Sequence, residues 1–410
     1  MQKRRSWRAR TAAVAVAWLA CELLLWLLVR LPHPYAPTDV QRRDQQVLAR
    51  LQGAPPNRYL PSYHLPAVIE METDGKALPG IEGTSTFTIN QFGFRSARLQ
   101  SRDKPVGVRR VFCVGGSTTE CLYLDDSKAW PEVLRGELGA DSCLDVINAG
   151  HSGDVTRDHI ALLAQRIVAF APDVVVFLVG INDCFQQMAP DYSALRDDSR
   201  ALARAASREA SNGWKILACD VSQVARCLVH VVRGITEHST NAVTQDPHGG
   251  WVTREREKWR RLPWVEQPPR AEPLPEFEQN LRTLLGICRE HGALPVLVTQ
   301  PTLWGCEDAR CEQLFWRRPP GEQRVPHAAL WQLLERFNDV TRAVARAHDC
   351  VLVDLAQQLP KRCDLFYDDD HVNVAGSQAV ARLLAAGLRQ ADRVALRLGL
   401  VGVPAPAAVK

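Results

Sequence analysis

The sequence predicts an α/β protein built on a parallel sheet with helices on both faces. From residue 108 onward, short apolar segments alternate with longer segments whose apolar residues recur at helical spacing. The apolar segments are continuous, as in residues 174–179, which is typical of strands buried on both faces of a parallel sheet. Strands that alternate with helices indicate βαβ units and therefore a parallel sheet.

Five strands and five helices are predicted in this region. The strands lie at 110–115, 143–149, 173–179, 294–299 and 350–354. The helices lie near 127–139, 156–170, 276–291, 327–347 and 374–390. Upstream, residues 84–90 alternate like a strand and 91–95 have the composition of a turn. Because βαβ crossovers are right-handed, few topologies remain, and ligands bind beyond the carboxyl ends of such strands.

Side chains with catalytic chemistry lie at the ends of these elements. Ser117 follows the first strand in Gly-Gly-Ser-Thr-Thr, and Asn182 follows the third strand in Gly-Ile-Asn-Asp. Asp368 and His371 stand three residues apart just before the last helix, where a short turn can bring them together. A serine is a poor nucleophile unless a base lies within reach, and His371 is the candidate base. These are the parts of a serine esterase.

Four segments carry a family resemblance. The three above, together with Asn-Ala-Gly-His-Ser-Gly-Asp around Gly153, occur in the order of the conserved blocks of the SGNH (GDSL-like) hydrolase family. The chain resembles this family over roughly residues 108–390, and an Asn-x-x-Gly-Phe-Arg segment ending at Arg95 resembles the membrane-anchored bacterial type. The resemblance implies a flavodoxin-like three-layer α/β/α sandwich with a five-stranded parallel sheet. The chain departs from the family in Gly-Gly-Ser-Thr, which replaces Gly-Asp-Ser-Leu, and in Glu120, where many relatives have a later glycine.

The resemblance also implies the role of each site residue. Ser117 is the nucleophile, His371 the general base, and Asp368 the carboxylate that orients the imidazole. The oxyanion hole comprises the backbone amides of Ser117 and Gly153 and the side chain of Asn182. Neither a cofactor nor a metal is implied. The neighbouring carboxylates Asp369 and Asp370 are expected to point away from the imidazole.

Other polar residues are predicted to be structural. Asp183 is expected to brace its loop, and Asp154 to cap the helix that begins near Thr156. Asn373 is expected to be the N-cap of the last helix, and Asp354 to have a structural role at the end of the last strand. For His151, lining a pocket and an incidental loop position both remain open.

The N-terminus predicts a signal-anchor. Met1–Arg10 carries five basic residues, and 11–29 is apolar except for Glu22. This length suffices for a transmembrane helix, and the basic leader predicts a catalytic domain outside the cytoplasm, in the periplasm or at the cell surface. A cleaved signal peptide is the alternative. Glu22 is interpreted as a tolerated polar side chain in a single span, with a helix–helix contact within the membrane as the alternative.

Composition divides the chain into parts. After the leader and helix of residues 1–30 come an extracytoplasmic linker with an accessory strand at 31–107 and the hydrolase domain at 108–395. An insertion at 184–275 interrupts this domain, and a tail occupies 396–410. The insertion contains a helix-like stretch at 216–235, a proline-rich connector at 265–275, and four tryptophans: Trp214, Trp251, Trp259 and Trp264. It is either a lid over the site or a segment whose aromatic residues pack on the domain.

Charge and cysteine content exclude several functions. A net charge of +4 without a dense basic patch argues against nucleic-acid binding, and the Ser117 loop lacks the Gly-Lys of a phosphate-binding loop. The 12 cysteines suit an exported protein but show no zinc spacing. A disulfide between Cys306 and Cys311 is the best candidate, with Cys219–Cys227 weaker, and Cys113 is expected to be buried as an apolar residue.

The sequence therefore predicts a membrane-tethered serine esterase that cleaves acyl esters without a metal. An acylated envelope glycan is the first expected substrate, and lipids or small acyl esters are others. Two alternatives remain open: an O-acyltransferase that uses the same triad with a sugar hydroxyl in place of water, and a catalytically silent glycan-binding or assembly protein.

Overall fold

The chain folds into two compact units. The computed structural model describes residues 2–28, 67–72, 75–96, 99–139, 143–188, 222–228, 250–265, 275–316 and 323–400. The first unit comprises Met1–Arg58 and Arg196–Gln245, and the second comprises Tyr59–Leu195 and Asp246–Lys410. The predicted insertion at 184–275 is therefore divided between the units, and its first and last parts belong to the second.

The second unit contains the predicted five-stranded parallel sheet. Its strands are β3 (Arg109–Gly115), β4 (Leu144–Gly150), β5 (Val174–Leu178), β6 (Leu294–Val298) and β7 (Val351–Val353). They are ordered β4-β3-β5-β6-β7, and every neighbouring pair is parallel. Counted from β3, this is the order 2-1-3-4-5 of flavodoxin-like sheets. The prediction of the sheet is confirmed, with strand ends that differ by at most one residue.

Helices connect these strands and contact one another in two groups. α3 (Trp130–Glu137) packs with α10 (Val374–Gln390). α4 (Thr156–Gln165), α7 (Pro275–Glu290) and α8 (His327–Ala347) form the other group. A sheet of this strand order with right-handed crossovers places the first and last helices on one face and the middle helices on the other.

Local sequence accounts for the ends of these helices. α3 begins at Trp130 rather than at 127, because Pro131 occupies its first turn and a 3₁₀ turn, Asp126–Lys128, precedes it. α10 has the predicted bounds, and the Asn373 side chain accepts a hydrogen bond from the Gly376 amide at 3.1 Å, as an N-cap does. The prediction for Asn373 is therefore confirmed.

The accessory segment packs on the catalytic region. β1 (Ala67–Glu72) and β2 (Thr84–Ile89) form an antiparallel pair. The turn that follows buries Phe94, whose ring contacts Phe112 of β3 edge-on with centroids 5.4 Å apart. The strand predicted at 84–90 is confirmed, and its hairpin is tied to the main sheet through aromatic contacts.

The first unit contains α1 (Gln2–Leu28), which covers both the basic leader and the apolar stretch. Within α1, the Glu22 carboxylate accepts hydrogen bonds from the Ser222 hydroxyl at 2.9 Å, the Val224 amide at 3.0 Å and the Gln223 amide. These amides begin a helical stretch at 223–228, so Glu22 caps a second helix. Glu22 therefore makes a helix–helix contact, and its placement within a membrane stays a prediction.

None of the helices in the described parts of the chain is long and apolar enough to cross a membrane. The predicted transmembrane helix is therefore not found.

The described end of the insertion is a helix, α6 (Gly250–Arg261), within the second unit. The side chains of Val252, Arg256 and Trp259 are buried on it, and the Trp259 ring stacks on His327 with centroids 5.8 Å apart. For this helix the packing interpretation is correct. Trp214, most of the 216–235 stretch and most of the connector at 265–275 lie outside the described residues.

Two short helices and the cysteines complete the second unit. α9 (Leu355–Gln358) follows β7, and α11 (Asp392–Leu398) extends past the boundary predicted at 395 and buries Leu398.

Cys306 and Cys311 form the predicted disulfide. Cys113 is buried in β3, as predicted. Cys219 lies outside the described residues.

Candidate active site

The nucleophile turn leaves β3 at the carboxyl end of the sheet. β3 ends at Gly115, and Ser117 is the first residue of the one-turn helix α2 (Ser117–Glu120). A Cβ on Gly115 would lie 2.4 Å from the Leu178 carbonyl oxygen, and one on Gly116 would lie 2.5 Å from Nδ2 of Asn182. Two glycines before the serine therefore let the turn approach β5 and the Asn182 amide closely.

The structure brings Ser117, His371 and Asp368 into one hydrogen-bonded chain. Nε2 of His371 lies 2.8 Å from Oγ of Ser117, across 254 positions of sequence. Nδ1 of the same ring lies 2.9 Å and 2.8 Å from the two carboxylate oxygens of Asp368. All three side chains are thus linked as nucleophile, base and orienting carboxylate are in serine hydrolases.

The loop around Asp368 fixes this geometry. Oδ1 of Asp368 accepts the backbone amides of Asp370 at 3.1 Å and His371 at 2.8 Å, which folds the two side chains together. A bridge between Phe366 and Val372 closes the loop. The Tyr367 ring stacks on the imidazole with centroids 5.5 Å apart and an interplanar angle of 5°. The imidazole is therefore held on both its edge and its face.

Two further carboxyl groups lie in the same loop, and the expectation that they point away from the imidazole is wrong for Asp370. Asp370 is buried, and its Oδ1 lies 3.5 Å from Nδ1 of His371. Ligand atoms of Asp368, Asp370 and His371 lie within 4.8 Å of one another, a spacing that could hold a cation. Because His371 already bonds to Asp368 through Nδ1 and to Ser117 through Nε2, we assign these atoms to the triad.

Asp369 is tied to two tryptophans. It accepts hydrogen bonds from the Trp304 indole and the Trp316 backbone amide, both at 2.9 Å. Burial and the neighbouring Asp368 charge raise the pKa of Asp369 to about 7. The Trp316 indole donates to Oδ2 of Asp368 at 3.0 Å, so the triad carboxylate receives a donor besides the imidazole and its own loop. No local pattern in the sequence predicts this contact.

The residues predicted for the oxyanion hole lie in the loops after β4 and β5, next to the nucleophile turn. Gly153 is exposed and has φ +88°, a conformation that favours glycine. Nδ2 of Asn182 donates to the Asp154 carbonyl at 2.9 Å, which orients the amide next to Gly116. Asn182 lies in the first turn of α5 (Ile181–Gln187), just after Gly180, whose φ is +117°. The loops after β3, β4 and β5 thus meet at this point.

Asp183 and Asp154 hold the loop that carries Gly153. The Asp183 carboxylate accepts the Thr156 amide at 3.1 Å and its hydroxyl at 2.5 Å. Burial raises the pKa of Asp183 to about 6, although the Thr156 bonds oppose this. Asp183 is structural, as predicted, but it lies in α5 and holds the start of α4 rather than its own loop. The prediction that Asp154 caps α4 is wrong, because Asp183 pairs with the first amide of the helix and Asp154 pairs with His151 at 2.8 Å.

A polar cluster joins the Gly153 loop to the end of α2. The Ser152 hydroxyl donates to the buried carboxylate of Glu120, at the end of α2. Burial alone would lower the pKa of His151, but the hydrogen bond and charge of Asp154 outweigh it and raise that pKa. The nucleophile helix and the Gly153 loop are therefore joined by side chains as well as by the sheet.

A model of the GDSL-like Lipase/Acylhydrolase family matches residues 113–379. This range is well over half of the chain and contains Ser117, Gly153, Asn182 and the Asp368–His371 loop. The chain belongs to this family. The family recognised from its four sequence blocks is thereby confirmed.

Among individual proteins, Esterase TesA of Pseudomonas aeruginosa is 34% identical to this chain over 109 residues, which cover 26% of this chain and 51% of TesA. The chain therefore aligns with about half the length of this curated relative. A crystal structure of TesA has a TM-score of 0.37 at 17% identity, covering 69% of this chain and 99% of that chain. A catalytic mutant of Axe2, an acetylxylan esterase from Geobacillus stearothermophilus, has a TM-score of 0.38 at 16% identity, covering 69% and 95%.

An arginine upstream of the residues matched to the GDSL-like family supports the nucleophile. The buried side chain of Arg95 donates to the carbonyls of Glu120 and Cys121 and to that of Leu124, all at 2.5 Å. Its Nε also pairs with Asp126 at 3.0 Å. The Gly-Phe-Arg segment was the sequence signal for this residue, but it did not indicate what the guanidinium binds.

Proposed function

We propose that the protein is a serine esterase that hydrolyses acyl esters through Ser117, His371 and Asp368. The observation that carries the proposal is the continuous chain of hydrogen bonds from the Ser117 hydroxyl through the imidazole to the Asp368 carboxylate. Membership in the GDSL-like lipase/acylhydrolase family supports the same reaction class.

The proposed reaction has two steps. In the first, the Ser117 hydroxyl attacks the ester carbonyl and passes its proton to Nε2 of His371, and Asp368 stabilises the imidazolium. The tetrahedral intermediate carries an oxyanion, for which the amides of Ser117 and Gly153 and Nδ2 of Asn182 are the proposed donors. Collapse of the intermediate transfers that proton to the leaving alcohol. In the second step, water deprotonated by His371 attacks the acyl-enzyme and releases the acid and the free serine.

Covalent labelling tests this assignment directly. A fluorophosphonate should add one adduct to the wild-type protein, detected by intact mass, and none to Ser117→Ala. Because the phosphoryl oxygen of the adduct occupies the oxyanion position, Asn182→Ala should label about 10²–10³ times more slowly. Ser101→Ala, which removes an exposed hydroxyl outside the loops of the site, serves as the control and should label like the wild type. A folded wild-type protein without an adduct, or an adduct retained by Ser117→Ala, would refute the proposal.

We also propose that the catalytic region lies outside the cytoplasm. The five basic residues before the apolar stretch at 11–29 support an exported orientation. The Cys306–Cys311 disulfide supports an oxidising compartment. Alkaline phosphatase fused after residue 410 should be active in a bacterial host, because that enzyme folds only after export. An inactive fusion, expressed at full length, would show that this proposal is wrong. The envelope glycan or lipid substrate stays a prediction that depends on this location.

A further inference from the structure

A buried arginine in the insertion lies next to the loop of Asp368 and His371, called here the acid–base loop. On α6, Val252, Arg256 and Trp259 have the i, i+4, i+7 spacing of one helix face, and all three side chains are buried. Arg256 is only 5% exposed, whereas arginine is almost never fully buried unless its charge and donors are paired. The hydrogen-bond partners of Arg256 therefore determine how its burial is compensated.

Three backbone carbonyls accept its hydrogen bonds. Nε of Arg256 donates to Leu314 at 3.1 Å, and its two terminal nitrogens donate to Ala77 and to Tyr367. These carbonyls belong to three separate segments, and Tyr367 immediately precedes the triad residue Asp368. A planar guanidinium with five N–H groups can bind three carbonyls in different directions, which the ammonium group of lysine cannot do with the same geometry.

The guanidinium also faces the negative charge of the loop. Asp368, Asp369 and Asp370 are consecutive and each is 1% exposed. Burial lowers the pKa of Arg256, and the charges of Asp368 and Asp369 act in the opposite direction. Buried carboxylates are costly unless they are paired or compensated. Arg256 thus offers both hydrogen bonds and a compensating charge at this loop.

We propose that Arg256 is a positioning residue of the esterase, which fixes the loop of Asp368 and His371 through the Tyr367 carbonyl and compensates the buried negative charge of that loop. The inference rests on the proposed function. By this proposal α6, the last helix of the insertion, holds the loop of the triad in place and does not act as a lid over the substrate.

If Arg256 acts through its charge, its removal must shift the pKa of His371 in one direction. The ionisable groups that surround the acid–base loop are Asp369, Asp370, Tyr367, Cys121, Tyr123, Arg256 and Arg260. A nearby positive charge disfavours the imidazolium, so its removal raises the pKa of His371. Since the reaction needs the neutral imidazole, the acidic limb of kcat/KM should move to higher pH.

The test compares Arg256→Gln with Arg256→Lys and with Arg261→Gln, which removes an exposed charge from the same helix. The hydrolysis of p-nitrophenyl acetate is followed from pH 5 to 9, and kcat/KM is divided by the active sites titrated with a fluorophosphonate. Arg256→Gln should lower kcat/KM about 10²-fold and raise its acidic limb by at least about 0.5 pH unit. Arg256→Lys should keep the wild-type limb with a kcat/KM about tenfold below wild type, and Arg261→Gln should match the wild type.

Division by titrated sites separates this role from simple stabilisation of the fold. If Arg256→Gln has the pH profile and the kcat/KM per site of Arg261→Gln, the inference is wrong. If Arg256→Gln does not fold, Arg256→Lys decides, and a kcat/KM per site equal to that of the wild type overturns the inference. A wild-type protein that neither labels nor hydrolyses the ester refutes the proposed function instead.

Discussion

Replacement of His371 by alanine should lower kcat for ester hydrolysis by a factor on the order of 10⁶. Nε2 of His371 lies 2.8 Å from the Ser117 hydroxyl, and it is the base to which we assign the serine proton. Without it the hydroxyl stays protonated at neutral pH and attacks the ester slowly. KM should change little, because the imidazole acts mainly in the transition state. Steady-state hydrolysis of p-nitrophenyl acetate measures both constants.

The matched control for this change is His291→Ala, which removes an exposed imidazole that follows α7. It should leave kcat within a factor of two of wild type, as surface substitutions generally do. A His371→Ala variant that folds and keeps more than a tenth of the wild-type kcat would exclude His371 as the base. The mechanism would then need a different proton acceptor.

Asp368→Asn should lower kcat by a factor of about 10⁴. The asparagine oxygen can still accept the Asp370 and His371 amides, so the loop should keep its conformation, although the bond from the Trp316 indole to Oδ2 would be lost. Its amide nitrogen, however, would donate to Nδ1 of the imidazole and leave the ring proton on Nε2, where the Ser117 proton must be accepted. Hydrolysis kinetics and a crystal structure of the variant would separate this tautomer effect from a collapse of the loop.

Asp370→Asn is the sharpest control for Asp368. Both carboxyl groups are buried, but Asp370 lies 3.5 Å from Nδ1 whereas Asp368 lies at 2.8 Å with both oxygens in reach. We expect Asp370→Asn to lower kcat by no more than about tenfold, as removal of a weak neighbouring charge would. A larger loss in Asp370→Asn than in Asp368→Asn would exchange the roles of the two residues.

The elements that could be predicted from the sequence are those with a strong local signal. β5 is a continuous apolar run, and α10 has an asparagine N-cap, so both were placed to within a residue or so. Ser117, Asn182 and His371 were found because each stands in a short block, and the parallel sheet brings the ends of β3 and β5 together. The alternation of strands and helices predicts a parallel sheet, whereas its flavodoxin-like arrangement was implied by the family resemblance.

The contacts that could not be predicted connect segments far apart in the chain. Asp154 is the nearer carboxylate to α4 in sequence, yet Asp183 pairs with Thr156, because α5 begins beside that helix in space. Trp316 reaches Asp368 from a loop without periodicity. Arg256 is one of several basic residues on α6, and only its spacing with Val252 and Trp259 distinguishes it from the exposed ones.

The hydrogen bonds of Arg95 limit how far this enzyme can be truncated from its N-terminal side. The residues matched by the family model begin at 113, but the guanidinium that binds the carbonyls of Glu120, Cys121 and Leu124 lies 18 residues earlier. A fragment trimmed to the matched range would leave those carbonyls without their donor beside the nucleophile. The segment that must be present for the nucleophile turn to fold is therefore longer than the segment that identifies the family, and it includes Arg95.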